Sequence, residues 1–311
     1  MTTASVRTTS PKRRLGDVVF ANLTRTAGAL ILVSLAGVAI FLTSEGLPAF
    51  GAKAGELQGH DNFLAYVAPL VFGTILAAVI ALVIATPLAL GVALAVSHYA
   101  PRRIATAIGY VIDLLAAVPS VVYGLWGIGF LGPKLIPIYQ WLDEHLGFIP
   151  LFKGPASPTG RTIFTVGIVL AIMVLPIITA ITREIFSQTP RLNEEAALAL
   201  GATRWEMVRL SVLPYGRSGI VSAAMLGLGR ALGETMAVAL VLSASGVVTF
   251  NLISSTNPST IAANIALSFP DSTGVARNAL VASGLVLFVI TFIVNFAARA
   301  VVARYEPGRK K

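Results

Sequence analysis

The most constraining feature of this sequence is a stretch of 40 residues, from Asn62 to Pro101, that contains no Lys, Arg, Asp or Glu. A helix of about 20 apolar residues crosses the hydrocarbon layer of a membrane, so this stretch can span it with length to spare. In typical globular proteins about a quarter of the residues are charged, whereas here charged residues make up 12% of the chain and hydrophobic residues 56%. The sequence therefore predicts an integral membrane protein.

Six apolar segments predict an all-α membrane protein with six transmembrane helices. The segments are 26–43, 66–97, 104–130, 162–182, 218–243 and 279–298. In lipid, backbone polar groups must be hydrogen-bonded inside the protein, which leaves helices or closed barrels. Long unbroken apolar runs exclude the alternating pattern of a barrel.

Lys and Arg are distributed unevenly between the connecting segments. With the N-terminus placed inside, 17 of the 23 basic residues lie in the four inner segments and 5 lie in the three outer loops. Basic residues accumulate in cytoplasmic loops, so both termini are predicted to be cytoplasmic. The net charge of +9 then reflects membrane topology, and nucleic-acid binding is not expected.

The loop between the fourth and fifth segments carries a series of helix signals. Thr189 and Pro190 predict a cap and a first helical position, and Gly201 predicts a left-handed stop with positive φ. Thr203 and Glu206 match a capping box that begins a second short helix, which we expect Pro214 to end. From this chemistry alone, the loop is either a well-capped connector or a docking element for a cytoplasmic partner.

The same loop resembles the EAA loop of ABC importer permeases. Glu195-Ala196-Ala197, Gly201 and Leu213-Pro214 have the spacing of that motif, although Ser211 stands where the family usually has Ile or Leu. The resemblance implies a docking loop for the ATPase subunits at about 189–214. Its residues would be Glu195, Ala196, Ala197, Gly201, Arg204, Leu213 and Pro214.

Two further segments resemble the phosphate-importer permeases of the PstC subfamily more than those of the PstA subfamily. They run from Leu115 to Gly127 and from Gly227 to Val238, and the resemblance covers about 62–298. It implies a type I importer fold in the bacterial cytoplasmic (inner) membrane. The expected partners are a PstA-like sister permease, two PstB-like ATP-binding subunits and an external PstS-like phosphate-binding protein. ATP and Mg would be used by the ATP-binding subunits, with no cofactor in this chain.

The apolar segments, the placement of basic residues and the resemblance together divide the chain into parts. We expect a cytoplasmic tail at 1–25, a first transmembrane helix with its outer loop at 26–65, a permease core with five transmembrane helices at 66–298, and a basic cytoplasmic tail at 299–311.

Two charges fall inside the fifth apolar segment. Arg230 and Glu234 are four residues apart, so in a continuous helix they would share one face. Charged residues inside a membrane are costly and need a partner or water. They are either a structural ion pair or part of an anion pathway, and the resemblance to phosphate importers favours the pathway.

Asp113 and Ser120 are the other candidate pathway residues. Asp113 is expected either to pair with Arg230 or to make a polar contact near the inner interface. Pro119 frees the backbone carbonyl four residues before it, and Ser120 offers a hydroxyl to a neighbouring helix or to the ion.

Several classes of function are disfavoured by what the sequence lacks. It has no Cys and only three His residues, far apart, so no metal site is expected. It has no G-x-x-x-x-G-K-[ST] motif, so the chain is not expected to hydrolyse ATP through a P-loop. The prediction is a non-catalytic permease subunit that imports phosphate by alternating access. The alternatives are a permease for another oxyanion, such as sulfate or molybdate, and an ion-coupled secondary carrier.

Overall fold

The computed structural model describes residues 15–53, 56–57 and 59–305, and these residues form helices and connecting loops with no β-strand. The α-helices are α1 (Leu15–Phe50), α2 (Phe63–Leu94), α3 (Arg102–Ala116), α4 (Ser120–Trp126), α5 (Gly132–Leu146), α6 (Ile163–Ser187), α7 (Arg191–Ala199), α8 (Arg204–Met207), α9 (Leu213–Leu232), α10 (Met236–Val241), α11 (Ile261–Ser268) and α12 (Gly274–Tyr305). Single π-helical turns follow α2, α4 and α8 at Ala95–Tyr99, Gly127–Leu131 and Val208–Val212. A short 3₁₀ turn lies at Pro150–Phe152.

Within the described residues, five helices are long and apolar enough to cross a membrane. They are Gly16–Phe50, Phe63–Tyr99, Ser120–Leu146, Ile163–Ser187 and Gly274–Ala300. Four of the predicted segments, at 26–43, 66–97, 162–182 and 279–298, lie in or almost entirely in these helices. The prediction of an all-helical membrane protein is confirmed, whereas the count of six continuous spans is not.

The prediction of one continuous helix at 104–130 was wrong. α3 ends at Ala116, Pro119 is in an extended conformation with ψ of 141°, and α4 begins at Ser120. Proline has no N–H to donate and disfavours helical geometry in the residue before it. The carbonyl that this proline was predicted to free belongs to Leu115, and the Tyr123 hydroxyl donates to it at 2.9 Å. The long apolar helix therefore starts at Ser120 and continues through a π turn to Leu146.

The prediction of one continuous helix at 218–243 was also wrong. α9 ends at Leu232, three residues follow outside any helix, and α10 begins at Met236. The Glu234 side chain accepts a hydrogen bond from the Ala237 N–H at 3.1 Å. A side chain that caps the first turn of α10 competes with the continuing helix, and a periodicity pattern does not detect this.

The core is built on the contact between α2 and α6. Every fourth residue of α2 from Ala77 to Ala93 is alanine, and each of these alanines is at most 1% exposed. Small side chains let helix backbones approach closely, which is how helices associate in lipid. α9 packs against α6, and α10 packs against α4, so both interrupted segments join this core.

A second cluster holds the ends of the chain against the core. α1 packs along α12, with Ala49, Leu57 and Ala282 buried between them and the start of α2. A third cluster of Phe186, Met207 and Val212 joins the end of α6 to the segment that leads into α9.

Candidate functional site

Arg230 lies in the last turn of α9, two residues before the helix ends. Within the described part of the chain, its buried Nε atom has no hydrogen-bond partner. A buried donor without a partner is costly, because it has lost water and gained nothing in return. Arg230 lines a cavity of about 880 Å³ between α9 and α12, so the cationic side chain borders a space that a ligand or water can enter.

Glu234 does not pair with Arg230. Because α9 ends at Leu232, the two residues are not one turn apart on a single helix as predicted. Among the described residues, the one contact within 4.0 Å between a basic and an acidic side chain joins His98 to Glu194. Glu234 is half-buried in the break, where Oε1 caps α10 through the Ala237 N–H. The alternative of a structural Arg230–Glu234 ion pair is therefore not what this structure contains.

The two helix breaks belong to neighbouring elements. α4 follows the break at Pro119 and packs on α10, which follows the break at Gly233–Thr235. Gly124 lies so close to α10 that an added Cβ would be 3.0 Å from the Ala237 Cα. Paired helix interruptions of this kind are typical of transporter substrate sites.

Ser120 is the first residue of α4 and is half-buried. Its hydroxyl makes no hydrogen bond to any described residue. It is thus available to a ligand or a neighbouring chain, and neither of its two expected roles is tested by this geometry.

Asp113 lies elsewhere. It is exposed on α3 and lines a separate cavity of about 450 Å³ together with Arg183 and Glu184 of α6. It is not among the described residues that line the cavity of Arg230. The structure does not bring Asp113 to Arg230, which leaves the polar contact as the expectation that fits this position.

The EAA-like loop forms two short helices joined by a tight turn. Gly201 has φ of +88°, as predicted, a conformation that costs an ordinary residue about 1–2 kcal/mol. The predicted capping box is present: Glu206 accepts from both the Thr203 N–H and the Thr203 hydroxyl at 2.8 Å. The hydrogen bond from the Thr203 N–H has the larger effect and the one from the hydroxyl the smaller, and both lower the pKa of Glu206.

Two local predictions for this loop were wrong. Pro190, not Thr189, occupies the cap position of α7, and among the described residues nothing hydrogen-bonds the buried Thr189 hydroxyl. Pro214 does not end the second helix. It lies in the first turn of α9, where its missing N–H is harmless, and the preceding π turn links α8 to α9 without a loop.

The loop is attached to the membrane-spanning helices by specific contacts. His98 Nε2, at the end of the π turn after α2, lies 3.6 Å from Glu194 Oε1 of α7. The Ser211 hydroxyl donates to the Asn193 carbonyl at 3.1 Å, so the residue that departs from the family pattern fastens the two parts of the loop together.

The loop exposes large apolar side chains beside charged ones. Leu200 is 90% exposed, Leu192 is 77% exposed, and Trp205 is also exposed. Glu195, Ala196 and Arg204 lie on the same exposed loop. Rimmed apolar patches of this kind mark sites of protein interaction.

Two residues that hold the C-terminal end of α10 were not predicted from the sequence. Arg161 donates to the carbonyls of Leu240, Val241 and Leu242 at 3.3, 3.5 and 3.2 Å, which caps the end of α10. Asn257 is fully buried and donates to the carbonyl of Arg161. These hydrogen-bond partners are about 80 to 100 residues apart in the sequence, so no local pattern predicts them.

Comparison with known proteins shows which family this chain belongs to. Residues 85–307 match the family described as "Binding-protein-dependent transport system inner membrane component". Among curated relatives, the phosphate transport system permease protein PstC 2 of Mycobacterium tuberculosis is 47% identical over 303 residues, covering 94% of this chain and 93% of that protein. PstC of Mycobacterium leprae is 42% identical over 85% of this chain and 86% of its own length. PstC of Xylella fastidiosa (strain Temecula1) is 40% identical over 93% and 91%.

Solved structures support the fold at low sequence identity. A chain of a bacterial ABC transporter involved in the import of the acidic polysaccharide alginate aligns with TM-score 0.56 and 16% identity, covering 92% of this chain and 98% of that chain. A chain of the inward-facing MetNI methionine ABC transporter aligns with TM-score 0.51 and 18% identity, covering 78% and 94%. The chain therefore belongs to the binding-protein-dependent permeases of ABC importers, among relatives of the PstC type.

Proposed function

We propose that this chain is the membrane-spanning permease subunit of an ATP-driven importer of inorganic phosphate. The observation that carries the proposal is 40–47% identity, over most of the chain, to proteins named as phosphate transport permeases. Relatives at this identity that align over nearly their whole length share the arrangement of helices and the residues around them, and this chain carries an intramembrane Arg suited to an anion.

In this proposal Arg230 attracts the anion in transit. Its guanidinium borders a cavity and is not neutralised by Glu234. Opposite unit charges 4 Å apart attract by about 4 kcal/mol at an effective dielectric of 20, and more for a dianion. Glu234 lies in the break between α9 and α10, and Ser120 begins α4 after the other break. The Glu234 carboxylate limits how tightly the ion is retained. Asp113 acts at a distance from this site.

The EAA-like loop transmits the movement of the ATPase subunits to the membrane. Its exposed apolar residues supply the docking surface, and α8 continues through the π turn into α9, whose far end carries Arg230. A displacement of the loop therefore acts along one helix on the proposed ion site. Closure of two ATP-binding subunits would switch this permease and its sister between outward-open and inward-open states, with an external binding protein delivering phosphate.

The proposed setting is the bacterial cytoplasmic membrane, with both termini and the EAA-like loop on the cytoplasmic side. The uneven distribution of Lys and Arg supports this orientation. A Cys placed at Ser187, at the end of α6, is expected to resist impermeant thiol reagents in intact cells. Ready labelling of that Cys from outside would contradict the orientation.

The function is tested by reconstitution. The chain, purified with its partner subunits in proteoliposomes, is expected to take up radiolabelled phosphate only when ATP and the binding protein are present. Sulfate and molybdate are offered in parallel, since uptake of either in place of phosphate would reassign the substrate. Uptake by the chain alone, driven by a proton or sodium gradient, would show a secondary carrier and refute the ABC mechanism.

A further inference from the structure

The cavity of Arg230 contains a second cation. Arg299 of α12 lines the same space, and so does Asn295, one helical turn before it. The sequence places Arg299 at the start of a basic tail, but α12 continues to Tyr305, so this arginine lies on the membrane-spanning helix. One cavity of about 880 Å³ is thus lined by two arginines.

The lining carries no compensating charge. Among the described residues that border the cavity there is no Asp or Glu. Arg299 is exposed and Arg230 is half-buried, and two like charges that border one space repel each other. An anion between them removes that cost.

The hydrogen-bonding groups in the cavity are donors of the right kind. A guanidinium presents donors in a planar fork that matches a phosphate-type oxyanion. The Asn295 amide adds two more donors. The Ser222 hydroxyl already donates to the Ser218 carbonyl at 2.9 Å, so among the described residues that border the cavity the remaining side-chain donors belong to Arg230, Arg299 and Asn295.

The two arginines lie at different distances from the ends of their helices. Arg230 is 17 residues from the start of α9, or roughly 25 Å along the helix axis. Arg299 is 6 residues from the end of α12, or roughly 9 Å. If the end of α12 faces the cytoplasm, as proposed above, an anion that leaves Arg230 in the direction of the cytoplasm meets Arg299 next.

We propose that Arg299 and Asn295, across the cavity from Arg230, form a second binding site for a phosphate-type oxyanion on the cytoplasmic side of the pathway. The place of this site in the pathway rests on the proposed function. The same chemistry fits two sources, free inorganic phosphate and the phosphate of an anionic lipid headgroup. The site makes the exit stepwise, because the second cation lowers the energy needed to leave the first.

The test uses the absence of Cys from this chain. Ala303 lines the cavity without contributing a donor, so Ala303→Cys in the assembled complex places the chain's one thiol beside Arg299. The complex is held in nanodiscs of phosphatidylcholine alone, and the rate of labelling by an anionic thiol reagent is measured on this chain. Inorganic phosphate is compared with chloride at equal ionic strength, and a parallel sample replaces part of the lipid with phosphatidylglycerol.

We expect labelling to slow at least about threefold in a saturable way when the site fills, since an added anion repels the reagent. Slowing by phosphate in phosphatidylcholine assigns the site to the free anion, whereas slowing by phosphatidylglycerol without phosphate assigns it to the lipid headgroup. Arg299→Gln should abolish the effect and Arg299→Lys should retain part of it. Ala297→Cys, on α12 but away from the cavity, should respond to neither anion.

Equal labelling of Ala303→Cys in every sample would overturn the proposal, and this result needs no Arg299 variant to fold. Labelling does not depend on transport, so the two proposals fail separately. Protection by phosphate without ATP-driven uptake would refute the importer and leave the site standing, while uptake without protection by either anion would refute the site alone.

Discussion

The helix pair α2–α6 and the segment α9–α10 share one core but are built in opposite ways. α2 runs without interruption past Pro87, and between Ala77 and Ala93 its buried face is a row of alanines. α9–α10 breaks at Gly233–Thr235, with Arg230 just before the break and Glu234 within it. A continuous helix satisfies its own backbone, whereas a break leaves backbone groups for caps, water or a ligand. The continuous pair α2–α6 is therefore interpreted as a scaffold, and the interrupted segment α9–α10 as the candidate site.

Removing the charge of Arg230 is expected to have the largest effect on phosphate uptake, and it tests the distinction between scaffold and site. Arg230→Gln keeps a polar side chain and removes the cation, and we expect phosphate uptake by the assembled complex to fall about 100-fold, since part of the Coulomb attraction is lost. Uptake is measured in proteoliposomes with equal amounts of complex. Arg230→Lys is the control, because it keeps the charge without the planar fork and should retain more activity.

The double variant Arg230→Gln with Glu234→Gln decides between pathway and structure. The two side chains make no ion pair here, so the double variant should transport as poorly as Arg230→Gln. Normal uptake by an assembled double variant would mean that the two residues act only as a structural pair and would remove the distinction between site and scaffold.

The link from the docking loop to α9 is tested at Gly201. Its φ of +88° disfavours a β-branched residue, so Gly201→Val should deform the turn while the subunit still inserts. We expect the ratio of phosphate transported to ATP hydrolysed to fall roughly tenfold, because the strained turn costs about 1–2 kcal/mol in the coupled conformation. Gly201→Asn is the matched variant, since Asn tolerates positive φ and should stay coupled. Unchanged coupling in Gly201→Val would reduce the loop to a connector.

Enlarging one residue of the alanine row of α2 tests how closely the scaffold helices α2 and α6 pack. Ala85 is fully buried on the face of α2 that carries this row, and Ala85→Leu should destabilise the folded state by about 1–3 kcal/mol. A lower melting temperature of the purified complex is the readout. Val83 is 67% exposed on another face of α2, so Val83→Leu should leave the temperature unchanged. Equal behaviour of the two variants would show that this contact is not closely packed.

The smallest expected effect concerns the break before α4. Tyr123→Phe removes the hydroxyl that donates to the Leu115 carbonyl, and one such hydrogen bond contributes about 0.5–1.5 kcal/mol. Thermal unfolding of the complex should detect the loss, with Tyr110→Phe as the control because Tyr110 is exposed. A Tyr123→Phe complex as stable as the parent would mean that the break is held by packing alone.

Much of the docking loop could be predicted because its rules are local. The positive φ of Gly201 and the Thr203–Glu206 capping box follow from residues within one turn, and both are confirmed. The same rules misplaced the cap of α7 and the role of Pro214. Thr189 is buried, and its N–H donates to the Phe186 carbonyl at 3.2 Å. The π turn before Pro214 leads directly into α9, so the proline lies in the first turn of a helix and does not end one.

The sequence by itself determined that the chain is helical and membrane-spanning, because the length and apolarity of a segment decide whether lipid accepts it. It also located the Leu115 carbonyl that Pro119 frees. Only the tertiary structure decided how that carbonyl is satisfied, where the segments 104–130 and 218–243 break, and that Arg230 shares a cavity with Arg299 and not with Asp113. The physical reason is range: capping and periodicity act within a few residues, whereas the partners of a buried charge come from helices far apart in the chain.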